Sequence, residues 1–287
     1  MINEKKVPDE IAINLCELIG RSSEDMHSWI ERLIIDTPFG NCSRIYLGSY
    51  YCDHYFLQTS VSRYTDVICF AREREIKITL VIPPLFETNL EKGISLAEKL
   101  ISEGRDLIDE VTINDWGMLQ YFSKVSNVKI NMGRLLQKDN RDPRYIDFFN
   151  ETHTHRCFSG FYKQMLSTNN VSCVELDCTH GKIYIPDLLS DIKVAVHGPW
   201  TYMSLGSICL FASMNKSDNR KFRYADICSC ECNNVAVKMN CDDITLYRFG
   251  RSIQFKNDNC KIISEVPYRY IYSPFNELIK GNTSSYM

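Results

Sequence analysis

The densest chemical signal in this chain is Cys228-Ser-Cys230-Glu-Cys232, three thiols in one short run, with Cys209 some way upstream. A short loop brings neighbouring thiols together at low entropic cost, and thiolates converging on one centre are what a metal site requires. Zinc wants four ligands in a closed tetrahedron. An iron–sulfur cluster also takes four thiolates and accepts them from widely separated loops. Spacing alone leaves three readings open: zinc, iron–sulfur, and an incidental cysteine-rich hairpin.

Three further residues have the chemistry of a site. Asp115, after Asn114, stands where a strand ends, as a barrel site residue would, and is equally placed to cap a helix beginning at Trp116. Arg134 follows another strand, where a guanidinium grips a carboxylate or phosphate or closes a structural ion pair. His197 ends an apolar strand and is read as an acid–base group or as a satisfied core histidine. Asp115, Arg134 and His197 are therefore the catalytic candidates. His153-Thr-His155 looks like a metal pair, but alternate residues of an extended segment point to opposite faces, and it is read as a loop. No G-x-S-x-G, motif-paired Cys and His, P-loop or G-x-G-x-x-G is present.

The elements that must position these residues alternate between two periods. Near-continuous apolar runs mark strands at Ile11–Cys16, Arg44–Gly48, Lys77–Ile82, Glu110–Asn114, Val128–Met132, Val171–Leu176 and Lys193–His197. Met26, Trp29, Ile30, Leu33 and Ile34 fall at helical spacing, with Ser22 and Asp25 as a start signal. Leu90, Ile94, Ala97, Leu100 and Ile101 repeat that spacing before a terminating Gly104. Asp142-Pro143 opens a further helix over Arg144–Phe149. This alternation predicts an α/β fold, either a parallel β/α barrel or a doubly wound sheet.

After Cys209 the pattern changes to short runs at Val235–Met239, Ile244–Arg248 and Ser252–Phe255, which read as antiparallel hairpins. The expected organisation is one domain, 1–287, with a TIM-type β/α barrel-like core over 1–205 and a cysteine-rich, hairpin-bearing appendage over 206–287.

Composition narrows the setting. The chain has 287 residues, 44% of them hydrophobic and 24% charged, as in ordinary globular proteins. A net charge of −3 gives no general attraction to nucleic acid, so none is expected as a partner. The segment Met1–Glu10 lacks the apolar centre of a signal peptide, and Ile78–Phe86 is too short and too interrupted to span a bilayer. A cytoplasmic location without a membrane span follows as the expectation. The 13 cysteines are then not a disulfide framework, and Cys16, Cys69 and Cys173 are assigned to the core.

Several segments together resemble peptidase family U-thirty-two, and within it the short, single-domain UbiV-like branch. Ile45-Tyr-Leu-Gly-Ser-Tyr-Tyr-Cys52 is similar to the family's early strand and turn, and Val111-Thr-Ile-Asn-Asp-Trp-Gly117 to its "ND.G" strand end. Gly133-Arg-Leu-Leu136 with Arg141-Asp-Pro-Arg144, Val196-His-Gly198, Ser207-Ile-Cys209 and Cys228-x-x-x-Cys232 continue the likeness in the same order.

The resemblance implies a [4Fe–4S] cluster on Cys52, Cys209, Cys228 and Cys232; His54, by its position two residues past Cys52, is read either as a hydrogen-bond donor to such a cluster or, more simply, as an exposed residue. It implies a role in oxygen-independent hydroxylation of the ubiquinone-synthesis kind, with a UbiU-like partner, a small acidic or aromatic substrate and an organic hydroxyl donor such as prephenate. Other branches imply hydroxylation of tRNA or ribosomal RNA, or, by the family's historical name, a peptidase. A non-catalytic metal-binding scaffold subunit is the remaining alternative. The chain departs from the pattern in its extra thiol Cys230, in Glu175-Leu-Asp-Cys-Thr179, and in His197-Gly-Pro-Trp200, which lacks a cysteine that longer members carry.

Overall fold

A computed structural model describes residues 7–22, 24–38, 40–125, 127–145, 147–148, 159–187, 192–223, 228–241, 243–279 and 283–285. Strand and helix alternate as β1 (Glu10–Asn14), α1 (Met26–Ile35), β2 (Arg44–Gly48), α2 (Asp53–Gln58), α3 (Val61–Glu73), β3 (Lys77–Ile82), α4 (Leu90–Glu103), β4 (Ile108–Ile113), α5 (Trp116–Val125), β5 (Lys129–Met132), α6 (Gly160–Thr168) and β6 (Val171–Asp177). The chain continues through β7 (Lys182–Ile185), β8 (Lys193–Gly198), β9 (Trp200–Leu205), β10 (Ala236–Cys241), β11 (Ile244–Phe249), β12 (Ser252–Lys256), β13 (Lys261–Ser264), β14 (Tyr268–Tyr272), α7 (Asn276–Ile279) and β15 (Thr283–Ser285).

Eight of these strands close a parallel barrel in the order β1-β14-β8-β6-β5-β4-β3-β2. The seven sequence-predicted strands all lie in it, within two residues of their expected bounds. The eighth, β14, comes from inside 206–287 and is inserted between β8 and β1, pairing parallel with both. That segment is therefore not wholly an appendage. Conversely, β9 precedes residue 206 but pairs antiparallel with β12. The sheet β15-β10-β11-β12-β9, antiparallel except for the parallel β15–β10 pair, and the parallel pair β13-β7 complete the fold.

Local start signals are partly as read. Asp25 alone caps α1, accepting from the Ser28 N–H at 3.0 Å, and Gly104 ends α4. Asp142-Pro143 opens the 3-10 turn Pro143–Tyr145, and residues 147 and 148 beyond it are helical, so the helix expected over Arg144–Phe149 is met in part among the described residues. His153 and His155 lie outside the described residues. Among the described residues, no helix is long and apolar enough to cross a membrane.

Outward strand positions pack under the helices into one apolar cluster, including Ile45, Leu47, Ile78, Leu80, Val111, Val174 and Val196. Inward positions are unusually polar. At the amino end of the barrel Arg269 bonds Glu110 at 2.7 Å and Glu10 at 2.7 Å, and Arg44 bonds Glu10 and Asp109, each at 2.6 Å. Burial alone would raise the Glu110 carboxyl, yet Arg269 and Arg44 hold it down at about 2. Each buried charge there has a partner, so this end reads as a structural plug. Cys16 and Cys173 sit in the core as expected, while Cys69 on α3 is only partly buried.

Candidate functional site

The carboxyl end of the barrel, where enzymes of this architecture build their sites, carries a second buried network. Glu175 and Asp177, two apart on β6, project the same way into the lumen. Glu175 accepts from the Tyr50 hydroxyl at 2.8 Å and from the Thr112 hydroxyl at 2.5 Å, and lies 2.9 Å from His197 Nε2. All of these groups are shut off from solvent. Burial pushes the Glu175 carboxyl up to about 7. Burial, with repulsion from Arg134 and Arg141, holds His197 well below its usual range. The Glu175–His197 contact is thus a hydrogen bond involving a neutral imidazole, although its distance alone would pass for an ion pair.

Beside it, Asp177 is clasped by two guanidiniums. Arg134 bonds one carboxylate oxygen and Arg141 the other at 2.6 Å. Tyr202 underlies both: its ring centre is 5.4 Å from the Arg134 guanidinium carbon and 3.8 Å from that of Arg141. Tyr50 stands 5.6 Å from Arg134 on another side. The Nε and Nη1 groups of Arg134, Nδ1 of His197 and the hydroxyl of Tyr51 are buried without a hydrogen-bond partner. Unsatisfied polar atoms of this kind, with the two Arg134 N–H groups among them, mark a place for water or a small anion.

Of the three catalytic candidates, the structure brings Arg134 and His197 into this network and leaves Asp115 outside it. Asp115 accepts from the N–H groups of Met118 at 2.7 Å and Leu85 at 3.4 Å, which makes it the cap of α5. Its two oxygens therefore hold backbone. Glu175, Asp177, Tyr50 and Arg141 were missed as site residues. For Glu175 and Asp177 the signal was charge at inward positions of a strand otherwise covered on both faces, where a buried charge needs a partner; Tyr50 and Arg141 lie outside the strands and carried no such signal.

The cysteine centre adjoins this mouth. Gly48 ends β2 at φ +130°, and a Cβ there would stand 2.1 Å from the Val81 carbonyl oxygen. After it the chain turns sharply. Glu17 clamps that turn, accepting from the Ser49 hydroxyl at 2.6 Å and from the N–H groups of Tyr50 at 2.6 Å and Tyr51 at 3.1 Å. The clamp points Tyr50 at Glu175 and leaves Cys52 outside the barrel at the start of α2. There Cys52, Cys209 and Cys228 line one small pocket with His54, Phe86 and Arg251.

Cys232 interacts electrostatically with Cys209 and Cys228, and Cys52 with Cys232. The β11–β12 turn closes the far side. Gly250, at φ +55°, presents its α-carbon to Cys232, and a Cβ there would reach the sulfur at 3.6 Å. Gln58 on α2 ties down the 228–230 segment, donating to the Cys228 carbonyl at 2.6 Å and accepting from the Cys230 thiol at 3.3 Å. Cys230 stays within the centre all the same, its thiol bonding that of Cys228 and interacting with Cys232 and Cys52.

The residues present suit a four-iron cluster in two respects. The donors are all thiols, the set such clusters take. Around them, Nε of Arg21, Nε of Arg248 and Nε2 of His54 are buried without partners, as N–H groups facing thiolate or sulfide sulfur would be. Burial pushes the thiols of Cys52 and Cys232 up to about 12, so bound metal must displace their protons. Among the described residues, no three His, Cys, Asp or Glu side chains are placed to hold a single metal ion. A cubane spreads its thiolates farther apart than a lone ion does.

A larger cleft of about 640 Å³ lies along the outer side of β14, lined by Tyr268, Tyr270 and Tyr272. Volume does not make it the site, because the convergent ionisable groups lie inside the barrel mouth and at the cysteine centre. Compared with protein-family models, curated proteins and solved structures, the chain has no match.

Proposed function

We propose that this chain is an iron–sulfur protein holding a [4Fe–4S] cluster on Cys52, Cys209, Cys228 and Cys232. On this reading it serves oxygen-independent hydroxylation of a small acidic or aromatic molecule, in the cytoplasm, alongside a UbiU-like subunit. The observation that carries the proposal is the gathering of cysteines distant in sequence at one pocket, ringed by buried N–H donors without partners. When bound, such a cluster supplies one-electron transfer. The resemblance to the UbiV-like branch supports the reaction class and the partner.

The chain's own residues have definable tasks. Arg134 presents Nε and Nη1 to an anionic group, and Asp177 with Tyr202 fixes the guanidinium plane. Glu175, near 7, and neutral His197 share a proton at their 2.9 Å contact and can take up or release one at neutral pH. Tyr50 donates to Glu175 and keeps that pair aligned. One observation favours a narrower role, in which the partner binds the substrate and this chain carries the cluster. Arg134, Glu175 and His197 are fully buried and bonded within the barrel.

Anaerobic purification tests the reading. It requires an absorption band at about 400 nm that bleaches with dithionite, and about four iron and four sulfide per chain. Serine at 52, 209, 228 or 232 should abolish both the band and hydroxylation, whereas C230S should keep them. Zinc without sulfide, or a metal-free protein after reconstitution, would refute the cluster. Full hydroxylation by a cluster-free C209S protein would remove the cluster's role.

A further inference from the structure

We propose that Arg248 and Arg21 are potential-setting residues: in ion pair with no described carboxylate, they face the cysteine centre and stabilise the reduced state of its cluster. The inference rests on the iron–sulfur reading above and adds to it a division of labour among three arginines.

The argument starts from how each cation is disposed. Arg251 lines the pocket with Cys52, Cys209 and Cys228, but its charge is already met. Its Nη1 lies 3.3 Å from Asp53, and its Nε donates to the Gly206 carbonyl at 2.8 Å. Its guanidinium also lies over the Phe86 ring at 4.7 Å. Arg251 therefore acts as a tie between the β11–β12 turn and α2. Arg248, three residues earlier on the same hairpin, has no such tie. It forms no side-chain hydrogen bond or ion pair with a described residue, and its Nε is buried without a partner. Its Nη2 lies 3.9 Å from where a Cβ on Gly206 would stand, beside the loop that leads to Cys209.

Arg21 approaches from the opposite side, on the loop after β1. Its Nε too is buried and unpartnered. The neighbouring Gly20 N–H donates to the Tyr55 hydroxyl at 2.8 Å, which anchors this loop to α2 just after Cys52. Arg21 acts electrostatically on Cys232, and Arg248 on Cys209. Two guanidiniums that form no ion pair with a described residue thus flank two different cysteines, each with a buried Nε–H left to meet sulfur.

Both side chains are half-buried, Arg21 lies in the field of Glu17, and the Nε group of each is buried without a partner, so an anionic occupant would satisfy two donors that the described residues leave unmet. Four thiolates leave a [4Fe–4S] cluster with about two negative charges when oxidised and about three when reduced. Positive charge and N–H donors at the sulfurs stabilise the more negative state, and so raise the reduction potential. Cluster electron uptake is then easiest with both arginines in place.

The test is a dithionite titration with redox mediators on anaerobically purified holoprotein, followed by visible absorption and electron paramagnetic resonance. R248Q and R21Q should each bind the full iron and sulfide complement, and each should shift the one-electron equilibrium about tenfold toward the oxidised state. That shift reads as about 59 mV more negative. R248K keeps the charge but loses the planar Nε donor, and should fall between wild type and R248Q. If a glutamine variant fails to load, R248K carries the test, since its midpoint must still lie below wild type. R74Q, altering an exposed arginine on the outer face, should leave the midpoint unchanged. Wild-type midpoints in loaded R248Q and R21Q, or in R248K where it stands alone, overturn the proposal. A wild-type chain without iron or sulfide overturns the iron–sulfur reading itself, a separate and earlier failure.

Discussion

Replacing Glu175 with glutamine tests the electrostatics of the barrel mouth directly. The Glu175 carboxyl is fully buried and raised from an ordinary 4.5 to about 7. A carboxyl whose folded pKa is raised makes the folded chain bind more protons than the unfolded chain between those two values. Stability must therefore fall as pH climbs through that window and level off above it. The gap corresponds to about 3 kcal/mol, at roughly 1.4 kcal/mol per pH unit.

E175Q cannot ionise, so it lacks this slope. Glu17, raised to about 6 by burial, titrates in the same window but does so in both proteins and cancels from the difference. The amide also disturbs the bonds from Thr112, Tyr50 and His197, a constant cost of about 1–3 kcal/mol that is independent of pH. The assay is urea denaturation from pH 4.5 to 8, read as the stability of E175Q minus that of wild type. That difference should rise by about 3 kcal/mol toward alkaline pH, or roughly 6 °C in relative melting temperature. Parallel curves would refute a raised Glu175 and remove the proton-sharing pair from the functional argument.

Two further outcomes follow from the same geometry. Asp177→Asn leaves Arg134 and Arg141 buried without their common carboxylate, and should cost about 3–5 kcal/mol in urea denaturation; a loss below about 1 kcal/mol would mean that water already screens the pair. Gly48→Ala forces a Cβ against the Val81 carbonyl at a φ that L side chains avoid, and should destabilise by more than about 3 kcal/mol or prevent folding. Wild-type stability in that variant would show that the turn before Cys52 can adopt another path.

Much of this protein was legible from residue order, because period and local chemistry are local properties. Apolar runs such as Lys77–Ile82 mark strands buried on both faces, and amphipathic stretches such as Leu90–Glu103 mark the helices covering them. The hairpins before and after Gly250 were legible for the same reason. Local reading failed where placement depends on distant partners. Tyr268–Tyr272 is a strand only because β8 and β1 offer it two parallel edges, so the closing strand of the barrel looked like part of an appendage. Asp115 and Glu175 carry similar signals in sequence, and tertiary structure alone separates them: Asp115 meets free N–H groups at the start of a helix, whereas Glu175 meets a phenol and an imidazole in a dry lumen. Thiols at 209, 228 and 232 announced a centre by type and spacing. That Arg21 and Arg248 flank it with no ion pair to a described carboxylate was decided by packing, because a cation's partners are set by what the fold brings within reach and not by what precedes it in the chain.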